Sequence, residues 1–334
     1  MKVAILGRTQ FLYNTIPLLE QASHEIVIIG TCKASKEYKV SEKDFEIIAK
    51  EKNIPFFCTQ RINDSNIVAL LKEANADIAI SMNWISLIGK DVINCFPYGI
   101  LNAHPGDLPR YRGNACPNWA IIQGEKQVGV SIHFMKENEL DAGNIVTKKY
   151  IEVDENTTIG NIYTQLEQVI PNAFIQAINM ISEGENGTAQ QGKSLRCYPR
   201  KPCDGRIDWS KSVYDIQRLV NASGEPFAGA YTYFGDEKVI VNMVQIELYD
   251  NDVLVVPGQV VALNRHEGTI SVAAKDGIVK IINGFVENHE DKKMTEVIIS
   301  TRERLGYVCE DEVYELRKLI KELLKKEIEA IRYY

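Results

Sequence analysis

Val3-Ala4-Ile5-Leu6 opens a series of short apolar runs, and this series decides the fold. Amphipathic segments such as 42–52 and 66–74 separate the runs and carry apolar residues at spacings of three and four, which is typical of helices. Strands that alternate with helices predict an α/β fold with a Rossmann-like, mostly parallel sheet. The further strand-like runs of the first hundred residues are Ile26–Ile29, Ile54–Phe57, Asp77–Ser81 and Gly99–Asn102.

The second half of the chain has a different pattern. Two more strand-like runs precede a long helix predicted from about Thr158 to Ile181, and a stretch with Pro199 and Pro202 then interrupts regular structure. Short β-rich runs from 230 to 282 predict a small barrel, and a lysine- and glutamate-rich helix with one apolar stripe follows. We therefore predict an α/β domain over 1–190, a linker over 191–205, a β-barrel domain over 206–308 and a helical tail over 309–334.

Composition narrows the class of protein. The chain has 334 residues, is 45% hydrophobic and has a formal net charge of −7, so it has enough apolar content for two modest cores. It contains neither an apolar run long enough for a membrane span nor a signal peptide, and we expect a cytoplasmic protein with no membrane partner. The seven cysteines show no ligand-like spacing, which predicts reduced thiols and no metal site. The acidic balance argues against broad nucleic-acid binding.

The most informative segment for chemistry is Gly99-Ile-Leu-Asn-Ala-His-Pro-Gly-Asp-Leu-Pro-Arg-Tyr-Arg-Gly113. Side chains two apart on a strand share a face, so Asn102 and His104 are predicted to point into one pocket where Pro105 ends the strand. Open α/β sheets bind their ligands at this edge. An amide donor beside a titratable imidazole suits a tetrahedral oxyanion, and Asp141 follows on a turn that could fold back towards His104.

His104 and His133 could each have a structural rather than a catalytic role. A lone histidine on a strand is more often a structural residue, but Asn102 favours catalysis for His104. His133 lies within a strand without an asparagine two residues earlier or a Pro-Gly that ends the strand, so we expect a structural role for it.

These residues resemble a known family. Asn-x-His at 102–104, the following Leu-Pro-x-Tyr-Arg-Gly and the later Asp-x-Gly at 141–143 are similar to the catalytic domain of methionyl-tRNA formyltransferase, nucleotide-sugar N-formyltransferases and glycinamide ribonucleotide formyltransferase. Arg206–Trp209 and Pro226–Tyr231 resemble the start of the small oligonucleotide-binding-fold-like (OB-like) barrel of the first two groups. The resemblance covers roughly residues 1 to 305. Asp107 departs from the commonest family form, which puts substrate identity in question more than reaction type.

The resemblance implies a reaction and its site residues. It identifies the chain as an N-formyltransferase that uses 10-formyltetrahydrofolate as cosubstrate, without a metal, and with Asn102, His104 and Asp141 as catalytic residues. The family's folate pocket precedes the catalytic strand, which gives this set of expected cofactor-binding residues: Ser81, Asn83, Trp84, Leu87 and Ile88. For Ile88 in particular, simple burial of a helix against the sheet is an equally good account.

The sequence is compatible with more than one acceptor of the formyl group. We expect a nucleotide-linked amino sugar, with Arg110, Arg112 and Asn118 as substrate-binding residues, because guanidinium groups suit phosphates and the chain is acidic. The two arginines could instead pair with acidic residues and hold the loop. The alternatives are methionyl-tRNA formyltransferase, which the basic region 33–43 favours, and a non-catalytic folate or sugar-nucleotide binding module. Of the Gly-x-Gly-x-x-Gly fingerprint for dinucleotide binding, only the first glycine is present, at Gly7, so dinucleotide binding is disfavoured. The sugar-modifying enzymes of the family are often dimers, which leaves a homodimer as an open alternative to a monomer.

Overall fold

The structure, a computed structural model, describes residues 1–35, 38–250, 252–306 and 309–331. The chain divides into two compact units. The first unit comprises residues 1–204 and 221–228, and the second comprises residues 205–220 and the chain from 229 onward. The segment 221–228 therefore belongs to the first unit, although the sequence pattern places it beyond the linker.

Among the residues that the structure describes, nine strands belong to the first unit. Seven of them form one sheet in the order β3-β2-β1-β4-β5-β7-β8, in which the first five are parallel and β7 and β8 run antiparallel to their neighbours. The two short strands β6 and β9 pair in parallel outside this sheet. The strands are β1 (Lys2–Gly7), β2 (Glu25–Thr31), β3 (Phe56–Cys58), β4 (Ile78–Met82), β5 (Ile100–His104), β6 (Arg112–Gly113), β7 (Gln127–Phe134), β8 (Ile145–Glu152) and β9 (Arg196–Cys197).

Helices cover both faces of this sheet, which explains why the central strands are apolar throughout rather than alternating. The long helix α7 begins at a capping box in which Thr158 and Asn161 satisfy each other's backbone groups. Phe174 of this helix is fully buried in the main core cluster. The helices are α1 (Gln10–Tyr13), α2 (Thr15–Gln21), α3 (Glu42–Glu51), α4 (Ser65–Ala74), α5 (Lys90–Ile93), α6 (Cys116–Ile122) and α7 (Ile159–Ser182).

The second unit contains a five-stranded antiparallel sheet in the order β10-β11-β14-β13-β12. Trp209 anchors its core, because the buried indole donates from Nε1 to Thr232 Oγ1 at 3.0 Å. The remaining elements are α8 (Val213–Asn221), β10 (Ala230–Phe234), β11 (Glu237–Leu248), β12 (Val260–Asn264), β13 (Thr269–Ala273), β14 (Gly277–Val286), α9 (Met294–Val297) and α10 (Cys309–Ile331).

The predicted fold class, a mostly parallel α/β sheet followed by a smaller β-rich domain, is confirmed. The third strand starts at Phe56 rather than Ile54, since Pro55 has no amide proton to give to the ladder. The apolar stripe of α10 is solvent-exposed, with Leu316 and Leu323 each more than half exposed. Within the described residues, no helix combines the length and the apolar character needed to cross a membrane.

Candidate active site

A cleft of about 1060 Å³ lies in the first unit at the carboxyl ends of β1, β4 and β5. The sheet changes its winding direction between β1 and β4, and open α/β sheets bind ligands at such a point because the loops diverge there. Thr9 follows β1 and Asn83 follows β4, and both line the cleft. Asn102 and His104 line it from β5, as the strand periodicity predicts.

Asn102 is held by a residue on the neighbouring strand. Its Nδ2 lies 3.1 Å from Nε2 of His133, which stands directly opposite it in the antiparallel pairing of β5 with β7. The Nδ1 of His133 lies 2.8 Å from the Phe134 carbonyl, and a carbonyl can only accept, so Nδ1 carries the proton. With Nδ1 as the proton donor to the Phe134 carbonyl, Nε2 can accept one Asn102 N–H, and the second Asn102 N–H then remains available to a ligand.

His104 is fixed by the loop that follows it. Its Nε2 donates to the Tyr111 carbonyl at 2.6 Å, so in the neutral ring the lone pair is on Nδ1. Gly106 makes this approach possible, since a Cβ there would lie 2.4 Å from the Tyr111 carbonyl oxygen and 2.5 Å from His104 Nε2. The Nδ1 atom lies 3.6 Å from Asp141 Oδ2.

Asp141 sits on a tight turn between β7 and β8. Its backbone is left-handed at φ 50°, and Gly143 is required because a Cβ there would lie 1.9 Å from the Phe134 carbonyl oxygen. The side chain of Gln190 donates to the carbonyls of Asp141 and Gly143 at 2.8 and 2.9 Å. The Asp141 carboxylate accepts from the Gly113 amide at 2.9 Å and lies 3.5 Å from His133 Nε2.

Burial and neighbouring groups determine which of His104 and Asp141 is charged at neutral pH. Burial lowers the pKa of His104, and the Asp141 carboxylate offsets only part of that effect. Burial would raise the pKa of Asp141, but the charge that His104 carries when protonated, the contact with His133 and the Gly113 amide together lower it to about 2. Asp141 is therefore ionised at neutral pH while His104 is neutral, which leaves His104 able to accept a proton.

A thiol also touches the imidazole of His104. Cys116 lies 3.7 Å from His104 Nε2 and donates to the Tyr111 carbonyl at 2.9 Å. A hydrogen bond with Cys197, together with burial, raises the pKa of Cys116 above its ordinary value. Cys116 therefore stays a thiol at neutral pH and lacks the thiolate character of a nucleophile.

The residues expected to bind folate divide into two groups. Asn83, Trp84, Leu87 and Ile88 line the cleft, whereas Ser81 is not among the lining residues and has a fully buried hydroxyl with no hydrogen-bond partner. The Trp84 Nε1 donor is also buried, and no described residue accepts from it, although the residue itself lines this partly apolar wall. Such a surface fits a flat heteroaromatic ring with polar edges.

Of the three residues expected to bind the acceptor, one lines the cleft and two do not. Asn118 lines the cleft. Arg110 is exposed and donates to Glu125, and Arg112 donates to Gln190; neither is among the cleft-lining residues. Arg112 thus supports the Asp141 turn through Gln190. Arg110 makes the acidic pairing of the loop-holding alternative, whereas the partner of Arg112 is the neutral side chain of Gln190.

Sequence reasoning missed two residues of the site. His133 was set aside for lack of a local motif, although the antiparallel register places it against Asn102. Arg8 follows β1 and donates from Nε to the Asn83 carbonyl at 3.0 Å, which supports the cleft wall. Pairing β5 with β7 in the sequence would have pointed to His133, whereas Arg8 has no sequence signal that we can identify.

The fold and the site define an α/β enzyme that combines an amide donor, a neutral imidazole and a carboxylate at one centre. The chain belongs to the formyl transferase family: the formyl transferase model matches residues 1–178, and the model of the formyl transferase C-terminal domain matches residues 200–300. The protein is thus a folate-dependent formyltransferase, as the sequence predicts.

Known relatives fall into two groups by substrate. Methionyl-tRNA formyltransferase of Pelotomaculum thermopropionicum is 27% identical over 270 residues, which cover 80% of this chain and 85% of the relative. Methionyl-tRNA formyltransferase of Fusobacterium nucleatum subsp. nucleatum is 26% identical and covers 89% and 96%. The solved structure of WlaRD, a sugar 3N-formyl transferase, is 18% identical with a TM-score of 0.62 and covers 86% of this chain and 98% of its own. This last likeness is one of fold.

Proposed function

We propose that the protein transfers the formyl group of 10-formyltetrahydrofolate to the amine of a nucleotide-linked amino sugar. The observation that carries the choice of acceptor is the charge of the cleft. Four cationic and four anionic side chains line it, so it has no net positive potential to offer a polyanion. They are Arg8, Lys39, Lys136 and Arg200, and Glu139, Asp141, Glu167 and Glu225.

Two of the cations are neutralised locally. Lys39 lies 2.6 Å from Glu167 and Lys136 lies 2.9 Å from Glu139. RNA binding depends on several lysine and arginine side chains that neutralise phosphates, and these two lysines already have carboxylate partners. A small acceptor with one compact anionic group needs far fewer cations, and this supports a nucleotide-linked substrate.

Asn102 is proposed to stabilise the developing negative charge. The formyl carbon is attacked by the acceptor amine, so charge builds on the formyl oxygen as the new carbon–nitrogen bond forms. The Asn102 N–H that does not bind His133 can donate to this oxygen. Because His133 already fixes the amide, little reorganisation is needed when the charge appears.

His104 and Asp141 are proposed to handle the proton. The attacking amine loses a proton when it forms the bond, and the lone pair on His104 Nδ1 can receive it. The imidazolium would then lie 3.6 Å from the Asp141 carboxylate, which turns a weak contact into an ion pair. The same proton can return to the folate nitrogen as its bond to the formyl carbon breaks.

The folate cosubstrate supplies the formyl group, and the wall around Trp84 is proposed to hold it. The unpartnered Trp84 Nε1 can donate to a polar edge of the pterin, while Ile88 and Met82 provide apolar contact. This fits the residues that the family resemblance names, with Ser81 contributing to the strand end rather than to the wall.

Formylation of methionyl-tRNA is the second candidate. It is favoured by the relatives in sequence, which are methionyl-tRNA formyltransferases at 26% to 27% identity. The basic region 33–43 also favours it, although Lys36 lies outside the described residues and Lys39 is paired with Glu167. The catalytic assignment is the same for both acceptors.

The test is a direct comparison of acceptors. Purified protein and 10-formyltetrahydrofolate are incubated with thymidine- and uridine-diphosphate amino sugars or with charged initiator tRNA, and formylated product is measured by mass spectrometry. We expect turnover on an amino sugar with a mild response to salt, and none with His104→Ala. Formylation of the tRNA that falls steeply with salt, with no turnover on any amino sugar, contradicts the proposal.

A further inference from the structure

Arg200 is a cation of the cleft without a carboxylate partner. Its Nη1 donates to the Ala222 carbonyl and its Nη2 to the Asp204 carbonyl and the Ser223 hydroxyl, each at 3.1 Å, and all three acceptors are neutral. Among the described residues, no carboxylate forms an ion pair with it. Burial lowers the pKa of Arg200, and Asp204 offsets part of this. A partly desolvated charge of this kind costs stability unless a counter-charge reaches it.

Asn118 provides a second open polar group beside it. This side chain is 3% exposed, and its Nδ2 donates to the same Ala222 carbonyl that Arg200 contacts, at 2.9 Å. Its Oδ1 is buried, and no described residue donates a hydrogen bond to it, which is costly for an amide oxygen. Asn118 and Arg200 thus share one anchor, the Ala222 carbonyl, and both residues line the cleft.

Aromatic surface completes this region. Phe227 lines the cleft and packs edge-on against Tyr163, with ring centroids 5.8 Å apart. The Arg200 guanidinium also lies over the Trp119 ring, 5.9 Å from its centroid, which holds the guanidinium in place. We call the set Asn118, Arg200, Tyr163 and Phe227 the Arg200 subsite. All its members belong to the first unit.

We propose that the Arg200 subsite binds the nucleoside diphosphate portion of the acceptor. Arg200 supplies the positive charge for the diphosphate, Asn118 Oδ1 accepts from a hydroxyl or nucleobase N–H, and Phe227 packs against the base or the ribose. This assignment rests on the proposed function and deepens it. It differs from the sequence prediction, which places the phosphates on Arg110 and Arg112, because both of those side chains are engaged outside the cleft lining.

Binding of product-like probes tests the assignment without turnover. Uridine diphosphate, thymidine diphosphate and the two free nucleosides are titrated by calorimetry into the wild type and into Arg200→Gln and Arg200→Lys. We expect Arg200→Gln to weaken diphosphate binding by about tenfold to a hundredfold, on the scale of a lost charge-assisted hydrogen bond, and to leave nucleoside binding unchanged. Arg200→Lys should recover part of the loss, since it keeps the charge but not the fork.

Two controls separate this subsite from other causes. Arg196→Gln removes an exposed arginine of the same linker that stacks on Tyr198 and does not line the cleft, and it should bind all probes like the wild type. Titration with 5-formyltetrahydrofolate should be unchanged in every variant, which confirms that the folate side of the cleft is intact.

Distinct results overturn the subsite and the proposed function. The Arg200 subsite is wrong if the wild type binds a diphosphate and Arg200→Gln changes that affinity by less than twofold. It is also wrong if Arg112→Gln weakens diphosphate binding and Arg200→Gln does not. In both cases the proposed nucleotide-linked acceptor still stands. If no nucleoside diphosphate binds the wild type, the proposed acceptor is wrong and the subsite assignment falls with it.

Discussion

Replacement of Asp141 by asparagine tests the proposed proton transfer most directly. The change keeps the shape of the side chain and an oxygen that can accept from the Gly113 amide, but it removes the charge 3.6 Å from His104 Nδ1. At an effective dielectric constant of about 20, two unit charges at this distance attract by roughly 4 to 5 kcal/mol. Loss of most of this attraction to the imidazolium lowers kcat by about a hundredfold to a thousandfold.

The pH profile of the same variant gives a second readout. In the proposed mechanism neutral His104 accepts the proton, so kcat/KM of the wild type should rise with pH as His104 deprotonates, at a pKa below its ordinary value. Asp141 opposes the effect of burial on that pKa. Its removal therefore lowers the His104 pKa further, and the acidic limb of the profile moves to lower pH.

Steady-state kinetics with 10-formyltetrahydrofolate from pH 5 to 9 measure both effects, and folate affinity is titrated separately and should change less than turnover. Glu139→Gln is a matched control, because it removes an exposed carboxylate of the same turn that pairs with Lys136. It should change kcat by less than about twofold, as is usual for an exposed ion pair. A loss below tenfold in Asp141→Asn, or an acidic limb that stays in place or moves up, refutes the reasoning.

Three further predictions concern neighbouring residues. Asn102→Ala and His104→Ala should each lower kcat by about a hundredfold or more, which is the scale of one lost oxyanion donor. The circular dichroism spectra should be unchanged. Near-wild-type turnover in either variant would mean that the residue has no part in the mechanism. His133→Phe should lower kcat by about tenfold, because Asn102 loses its buried acceptor. His133→Gln should keep a higher kcat than His133→Phe, since its side chain can still accept a hydrogen bond. Equal kcat values in the two variants would mean that His133 only fills space. Trp84→Phe should weaken 5-formyltetrahydrofolate binding about fivefold to tenfold in calorimetry and leave diphosphate binding unchanged, and a loss of both would point to a collapsed cleft instead.

The candidate catalytic residues could be proposed from local sequence because their signals are local. Asn102 and His104 share a strand face at a spacing of two, and Pro105 and Gly106 mark where that strand ends. The strand and helix pattern of the first half likewise follows from periodicities of two and 3.6 residues, which backbone geometry imposes on any chain. These features needed no knowledge of what packs against them.

Tertiary structure alone decided which other groups reach the cleft. His133 contacts Asn102 because two antiparallel strands pair in one register, and a shift by one residue would turn its side chain to the other face.

The arginines show the same limit. Arg112 matches a motif, yet its guanidinium binds Gln190, 78 residues away. Arg200 lies in a proline-rich linker, lines the cleft and donates to the Ala222 carbonyl, 22 residues away. The fold class and the formyl transferase family could therefore be recognised from sequence patterns alone. The partners of each charge were decided by long-range packing, because an arginine carries the same charge in any sequence and only its surroundings decide whether that charge is already neutralised.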